Sequence, residues 1–486
     1  LREAVDSGDA ATSLFLAQLG EGNVRIAADK AFILRAGAAF DAVSGAAASL
    51  PDSAQEPMVN NRIRREIAGA LGALGLFSAD RNERLAAARA FGKSADPSRL
   101  PLIEKALSSE RDAQVRAVIE EIRSTLLLAS TDRDARLSAV EQLGREGGPG
   151  AKAVLSARLS ADGESDAKVR DAIRLSISRI DSRLAWTERL GLAFAGVSLG
   201  SILLLAALGL AITYGLMGVI NMAHGEMMMI GAYATWLVQN AFRAWAPAWF
   251  DLYLFAALPV AFLIAAAAGA LLERSVLRFL YGRPLETLLA TWGISLILIQ
   301  LARSLFGAQN VSVENPSWMS GGISLAANLV LPWNRIVIIG FSLAVLCSIA
   351  LVLARTRLGL FVRAATQNRT MARCLGVSTS RIDTLAFALG SGIAGLAGCA
   401  LSQIGNVGPD LGQSYIIDSF MVVVLGGVGQ LAGAVSAALG LGIVNKLIEG
   451  VSGPVIAKIA VLLFIIAFIQ KRPQGLCALR GRSAET

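Results

Sequence analysis

Histidine occurs once in this chain of 486 residues, cysteine four times, and aromatic side chains make up only 6% of it. The cysteines are Cys347, Cys374, Cys399 and Cys477, so the first 190 residues have none. That excludes a disulfide framework there, and no pair of cysteines has metal-ligand spacing. The lone His224 cannot complete a metal site or a triad with its sequence neighbours. Paired carboxylates and nucleophile–base pairs at working spacing are missing as well, so an enzyme is disfavoured. A phosphate-binding loop is also missing. Gly92–Lys93–Ser94 ends like one, but the pattern needs a glycine where Ala87 stands, and the run before it reads as helix. No metal, no cofactor and no ATP site is expected in this chain.

Charge is unevenly spread. Residues 1–190 hold 27 Lys+Arg and 27 Asp+Glu, whereas the remainder holds 18 basic and 10 acidic residues, so the whole net charge of +8 arises in the second part. Even charge mixing with many alanines predicts a soluble helical domain over 1–185. Sparse, clustered charge predicts a membrane domain over 186–475, with a short tail over 476–486. The basic pI then belongs to membrane loops, and no nucleic-acid partner is expected. The chain opens on Leu1 instead of Met, which would fit a removed signal peptide.

The first part echoes itself. Arg84–Gly92 reads RLAAARAFG and Arg136–Gly144 reads RLSAVEQLG. Each is followed by a polar break, a second apolar-periodic stretch and a Val-Arg pair, at Val115–Arg116 and Val169–Arg170. An apolar residue follows three positions later, at Ile119 and Ile173. This pattern resembles HEAT-type helical hairpins, which stack to bury a shared core and present a binding surface. An irregular helical bundle is the alternative.

Apolar runs recur in the second part at about 192–216, 222–239, 252–272, 285–306, 334–354, 382–402, 416–429, 431–449 and 454–470. Several approach the ~20 residues that cross a bilayer as helix. The expected fold is therefore all-α: a polytopic membrane protein of eight or nine membrane segments behind a soluble helical repeat domain. The short run 416–429 ends in Gly426–Gly427–Val428–Gly429, which predicts a broken or re-entrant segment or close helix packing. Thirteen of the 18 basic residues fall in loops 274–283 and 355–381 and in the tail from Lys471 onward. They alternate onto one side, predicted to be cytoplasmic. If 222–239 crosses fully, the N-terminal domain lies outside; if it is re-entrant, that domain lies inside. The outside placement is preferred.

Between the first two runs lies Asn221–Met222–Ala223–His224–Gly225–Glu226, with no charged residue in Gly191–Met217 before it or in Met227–Val238 after it. Ionisable groups at such depth are costly unless they face protein or water, which marks them as candidates for a solute path. A solvated hairpin at the membrane surface is the other reading. Asn221, His224, Gly225 and Glu226 are the leading path candidates, joined by Thr291, Gly426 and Gly427. Glu226 either lines the path or fastens the polar turn to a neighbouring helix.

The stretch Ala211–Ala234, AITYGLMGVINMAHGEMMMIGAYA, resembles the opening signature of the permease subunits of branched-chain amino acid and urea ABC importers. Arg355–Gly376, RTRLGLFVRAATQNRTMARCLG, is similar to the cytoplasmic coupling segment of that family at Arg363, Ala364, Asn368, Ala372 and Gly376. Ala394–Gly398 and the closing Arg472–Pro473–Gln474–Gly475–Leu476 also look like the family. Met222 stands where the amino-acid permeases often carry an aromatic. The long soluble region is similar to the layout of the urea-type permeases.

The resemblance implies a multi-pass permease subunit of the bacterial plasma (inner) membrane. It would import urea or a related small amide by alternating access, with its N-terminal domain extracytoplasmic. It also implies two ABC ATPase subunits that bind the ATP, a second permease subunit or a second copy, and an extracytoplasmic substrate-binding protein. A branched-chain amino acid permease is the alternative within the class. A membrane-anchored repeat scaffold or receptor and a passive urea channel are the alternatives outside it.

Overall fold

The computed structural model describes residues 10–476 except 28–29, 36–37, 43, 52–53, 93–98, 161–162, 219–220, 327 and 473–474. The Lys93–Ser94 part of the loop-like motif, Pro473–Gln474, Cys477 and the tail beyond 476 lie outside the described residues. Two compact units are resolved, Leu1–Trp186 and Thr187–Thr486.

The first unit opens with α1 (Ala10–Gly20) and a meander that the sequence reading did not anticipate: β1 (Val24–Ala27), β2 (Lys30–Arg35) and β3 (Ala38–Asp41), paired antiparallel in that order. This corrects the purely helical expectation for the beginning of the chain. Each strand is only four to six residues long, too short for its alternation to stand out among the surrounding alanines. Helices follow as α2 (Asn61–Gly75), α3 (Arg81–Phe91), α4 (Leu100–Ser109), α5 (Ala113–Leu127), α6 (Arg133–Glu146) and α7 (Pro149–Leu159).

Short acidic caps start several of these helices. Asp80 accepts from Asn82 N, Asp112 from Gln114 N and Val115 N, and Asp132 from Asp134 N, which satisfies amides that have no partner inside the helix. The two echoing motifs make the same contacts. Arg84 Nε meets Glu110 Oε2 at 2.7 Å, and its Nη1 donates to the carbonyls of Ser78 and Ala79. Arg136 Nε meets Glu164 Oε2 at 3.0 Å, and its Nη1 donates to the carbonyls of Ser130 and Thr131. Arg81–Asp112 and Arg133–Asp166 repeat the outer ion pair at 2.9 and 3.1 Å. Behind each arginine lies a separate apolar core. One holds Ala88, Ile103, Val115 and Ile119; the other holds Val140, Leu155, Val169 and Ile173.

Helix α8 (Ala167–Met217) carries the change from charged to apolar sequence. The second unit continues with α9 (His224–Trp245), α10 (Tyr253–Ser275), α11 (Pro284–Phe306), the hairpin β4 (Gly322–Ala326) and β5 (Leu329–Pro332), α12 (Trp333–Arg355), α13 (Arg357–Gln367), α14 (Arg369–Cys374), α15 (Thr379–Ser402), α16 (Leu411–Gly426), α17 (Leu431–Ser452) and α18 (Pro454–Lys471). Each of the nine apolar runs is a helix. Among the described residues, seven helices are long and apolar enough to cross a membrane: α8, a span containing α10, α11, α12, α15, α17 and α18. Helix α9, with its polar start, and the shorter α16 complete the set.

Contacts at the helix ends sort the loops of this unit onto two sides. On one, Tyr253 Oη donates to Glu314 O and Gln403 Oε1, Val311 bridges to Val407, and Thr187 Oγ1 bonds Asn328 Oδ1 at 2.8 Å. On the other lie the basic loops: Tyr281 Oη and Thr384 Oγ1 both donate to Glu273, Arg369 pairs with Asp383, and Leu476 N donates to Leu425 O.

Helix α16 runs between the sides. It begins beside the Arg303–Asp410 pair and ends where Gly429 approaches Gly215. The run 416–429 is therefore a short complete helix closed by Gly427 at φ +99°, and not a re-entrant loop. The break lies instead between α8 and α9. Helix α9 starts beside Ala206, well before the end of α8 at Met217, and runs from there to the Tyr253 side.

Small residues let α9, α10 and α15 approach closely at the centre. A Cβ on Gly395 would lie 2.5 Å from the Ala265 methyl and 2.6 Å from Ala261 O. Lipid supplies no hydrophobic drive for helices to associate, so close van der Waals packing through such residues carries the association.

Candidate functional site

The polar cluster at the head of α9 is buried on every side. Asn221, His224 and Glu226 are each at most 1% exposed. Asn221 turns the chain into the helix: its Oδ1 accepts from Ala223 N at 3.0 Å. His224 points back at α8, with Nε2 3.1 Å from Ala206 O. A carbonyl can only accept, so Nε2 carries the proton and Nδ1 of the neutral ring is an acceptor. Gly225 permits α9 to cross α16 at backbone contact, because a Cβ there would lie 2.5 Å from Gly412 O. Glu226 sits in the first turn, where the helix N-terminus favours negative charge, and its Oε1 accepts from Ser295 Oγ at 2.8 Å.

Helix α11 supplies the opposite wall. Thr291 Oγ1 accepts from Met222 N at 3.2 Å and donates to Leu288 O. Thr287, Thr291 and Ser295 stand four residues apart and are all buried. Sequence reasoning singled out Thr291 and missed Ser295, although the spacing of three hydroxyl residues along one face of an apolar helix is a readable signal.

Three side-chain atoms in this cluster have no partner among the described residues: Asn221 Nδ2, His224 Nδ1 and Glu226 Oε2. Buried polar atoms are nearly always satisfied, and those that are not call for an explanation such as a ligand or water.

Two of the path candidates lie elsewhere. Gly426 packs against Gly433 in the crossing of α16 and α17, and Gly427 forms the turn between those helices beside Gly475. No described contact joins either to Glu226; helix packing accounts for Gly426 and a left-handed turn for Gly427.

The five coupling candidates build one helix–turn–helix on the basic side. Asn368 caps α14, its Oδ1 accepting from Met371 N at 2.9 Å. Ala372 is buried, so its small size is explained by packing inside the chain. Gly376 ends the unit at φ +84°, a left-handed conformation that suits glycine. Arg363 is exposed, and Ala364 is half-buried behind it. Leu360, Met371 and Leu375 of the same two helices and the turn after them are exposed apolar residues.

Residues 192–469 match the family described as branched-chain amino acid transport system / permease component. The high-affinity branched-chain amino acid transport system permease protein LivH of Escherichia coli (strain K12) is 32% identical over 259 residues, covering 52% of this chain and 84% of LivH. BraD of Pseudomonas aeruginosa, which bears the same description, is 28% identical over 287 residues, covering 58% of this chain and 93% of BraD. LivM of Escherichia coli (strain K12), another permease protein of that system, is 27% identical over 302 residues, covering 57% of this chain and 68% of LivM. No solved structure matches the chain. With the apolar part of α8 and all of α9 to α17 inside the match, this chain belongs to the branched-chain amino acid transport permease family and is a multi-pass membrane permease subunit of an ABC importer.

Proposed function

We propose that the chain carries urea or a related short amide through the plasma (inner) membrane of a bacterium, as one permease of an ATP-driven importer. The observation that carries this reading is the set of unpartnered atoms at the head of α9. Glu226 Oε2 and His224 Nδ1 are acceptors and Asn221 Nδ2 is a donor. A urea-like solute offers N–H donors on two sides and one carbonyl acceptor, which is the complementary set. The soluble unit ahead of residue 192 lies outside the family match and fits the urea-type layout. Its duplicated arginine contacts support reading it as a HEAT-type repeat.

The importer needs partners. An exposed Arg363, with Leu360, Met371 and Leu375 exposed on the same segment, suits an ATPase cleft with an acidic rim. LivH and LivM are both permease proteins of one named system, which supports a second permease beside this chain. Two ATPase subunits and an extracytoplasmic binding protein complete the assembly, and the permease halves rock between outward and inward access. The bond of Thr187 to Asn328 on the side opposite the basic loops supports reading the N-terminal unit as extracytoplasmic.

A branched-chain amino acid is the second reading, favoured by the identity to LivH and BraD. Uptake of labelled urea and labelled leucine by cells with and without this chain separates the two. The expected result is loss of urea uptake alone, with wild-type uptake competed by acetamide. Loss of leucine uptake with urea untouched overturns the proposal.

A further inference from the structure

Two carboxylates are buried at the basic end of the bundle, Glu273 on α10 and Asp383 on α15. Neither belongs to the polar cluster at the head of α9. Buried charge is costly unless paired and hydrogen-bonded, and the pairing here has a specific shape. Asp383 pairs with Arg369, the first residue of α14. The Arg369 guanidinium lies 5.3 Å from the centre of the Tyr281 ring, within cation–π range. Tyr281 Oη donates to Glu273 Oε1 at 2.7 Å, and Thr384 Oγ1 donates to Glu273 Oε2 at 2.6 Å. Thr384 follows Asp383 in the chain, so the contacts close into a ring through α14, α15, α10 and the loop between α10 and α11.

The ring stands between two regions with different duties. Helix α14 is the second half of the proposed coupling segment. Helices α10 and α15 pack on the helices that carry the polar cluster: Gly390 of α15 lies against Gly209 of α8, and Gly395 of α15 against Gly231 of α9. Among the described contacts, Arg369 is the side chain of α14 that is ion-paired to the transmembrane bundle. A shift of α14 therefore pulls on α15 through Asp383 and on α10 through Tyr281 and Glu273 together.

We infer that the Arg369–Asp383–Thr384–Glu273–Tyr281 ring is the mechanical link that transmits ATPase motion from the coupling segment to the helices around the solute path. Arg369, Asp383, Glu273 and Tyr281 are thus positioning residues. They act through α10 and α15 and do not touch the solute or the nucleotide. The inference rests on the coupling role proposed above for 363–376.

The test uses the whole purified complex in proteoliposomes, with whichever solute the wild type accumulates. Solute moved, ATP hydrolysed and ATPase subunits retained are measured together. Tyr281→Phe removes only the hydroxyl and keeps the ring under Arg369. Arg369→Ala removes the ion pair, and Arg369→Lys keeps the charge. Tyr281→Phe and Arg369→Ala should retain the ATPase subunits and hydrolyse ATP at the wild-type rate. They should move roughly tenfold less solute per ATP, the scale of an ordinary coupling free energy. Arg369→Lys should recover most of the loss, and Arg369→Ala with Asp383→Asn should be no worse than Arg369→Ala alone. A wild-type ratio of solute to ATP in Tyr281→Phe and Arg369→Ala overturns the inference. Loss of the ATPase subunits from Tyr281→Phe also overturns it, since that ring would then be a docking element. If Arg369→Ala does not assemble, Tyr281→Phe decides alone. Failure of the coupling role is distinguishable: Arg363→Glu would then leave subunit retention and transport unchanged.

Discussion

Single residues at the head of α9 carry most of the argument about function. Glu226 has one oxygen tied to Ser295 and one without a partner among the described residues, so it has one structural and one available face. Glu226→Gln keeps the shape and most of the hydrogen bonding. If the free oxygen serves the path, the variant assembles normally and changes the transport rate or the preference among urea, acetamide and amino acids. Loss of assembly and thermal stability along with transport would show that its charge is purely structural. Gly225 gives a sharper structural expectation. A Cβ would sit 2.5 Å from Gly412 O, so Gly225→Ala forces α9 and α16 apart, at a cost of ~1–3 kcal/mol by overpacking. A lowered melting temperature in detergent should follow, and an unchanged one would contradict the close crossing.

In the N-terminal unit the corresponding residue is Glu110. The hydrogen bond from Arg84, with help from the amides of Asp112 and Arg111, holds its carboxyl below its ordinary value of 4.5. A lowered pKa stabilises the fold fully above that ordinary value, and the contribution is lost as pH falls through the folded value. Glu110→Gln should therefore melt below wild type at neutral pH, by about 1.5–3 kcal/mol for a bond between charged groups. The gap should narrow as pH drops past 4.5. A gap independent of pH would exclude the ionic contribution.

At the scale of elements, the hairpin proposed for coupling sorts its residues by duty. Asn368, Ala372 and Gly376 are occupied in shaping α13 and α14, by a cap, a packed methyl and a left-handed turn. The exposed face is left to Arg363, Leu360, Met371 and Leu375. Substitution of that face tests docking without disturbing the fold. Arg363→Glu with Leu375→Ser should leave the protein inserted and shed the ATPase subunits on purification. Normal co-purification would remove the docking assignment.

Sequence and structure part company at identifiable elements. The nine apolar runs were legible because the span length of a membrane helix is fixed by the bilayer. The echo of Arg84 in Arg136 was legible because both arginines make the same ion pair and the same carbonyl contacts. The β1–β3 meander was not, since strands of four to six residues leave too little alternation to read. Asn221, His224 and Glu226 stood out as polar groups among apolar neighbours. Glu273 did not, because its partner Thr384 lies far along the chain and spacing cannot reveal it, whereas Ser295 was readable from its four-residue spacing with Thr287 and Thr291. Gly426 and Gly427 looked like a break in a helix and proved to be a helix crossing and its turn.

For the whole molecule, sidedness is the first consequence to check. The basic loops share one side of the bundle, and Thr187 enters it on the other, beside Asn328. With the native cysteines replaced, a cysteine at the exposed Ser108 of α4 should react with a membrane-impermeant maleimide in spheroplasts. One at the exposed Ser380, at the start of α15, should stay protected until the membrane is opened. The reverse pattern would place the N-terminal unit in the cytoplasm.

The central claim is that this permease imports a small amide at the expense of ATP. Proteoliposomes bearing the complete complex, supplied with its binding protein and labelled urea outside, test it most directly when ATP is enclosed with the ATPase subunits. The account predicts accumulation of urea against its gradient that requires enclosed ATP and is abolished when ATP is replaced by a non-hydrolysable analogue. Equilibration of urea to equal concentrations with or without ATP, or ATP-driven accumulation of leucine with none of urea, would contradict it.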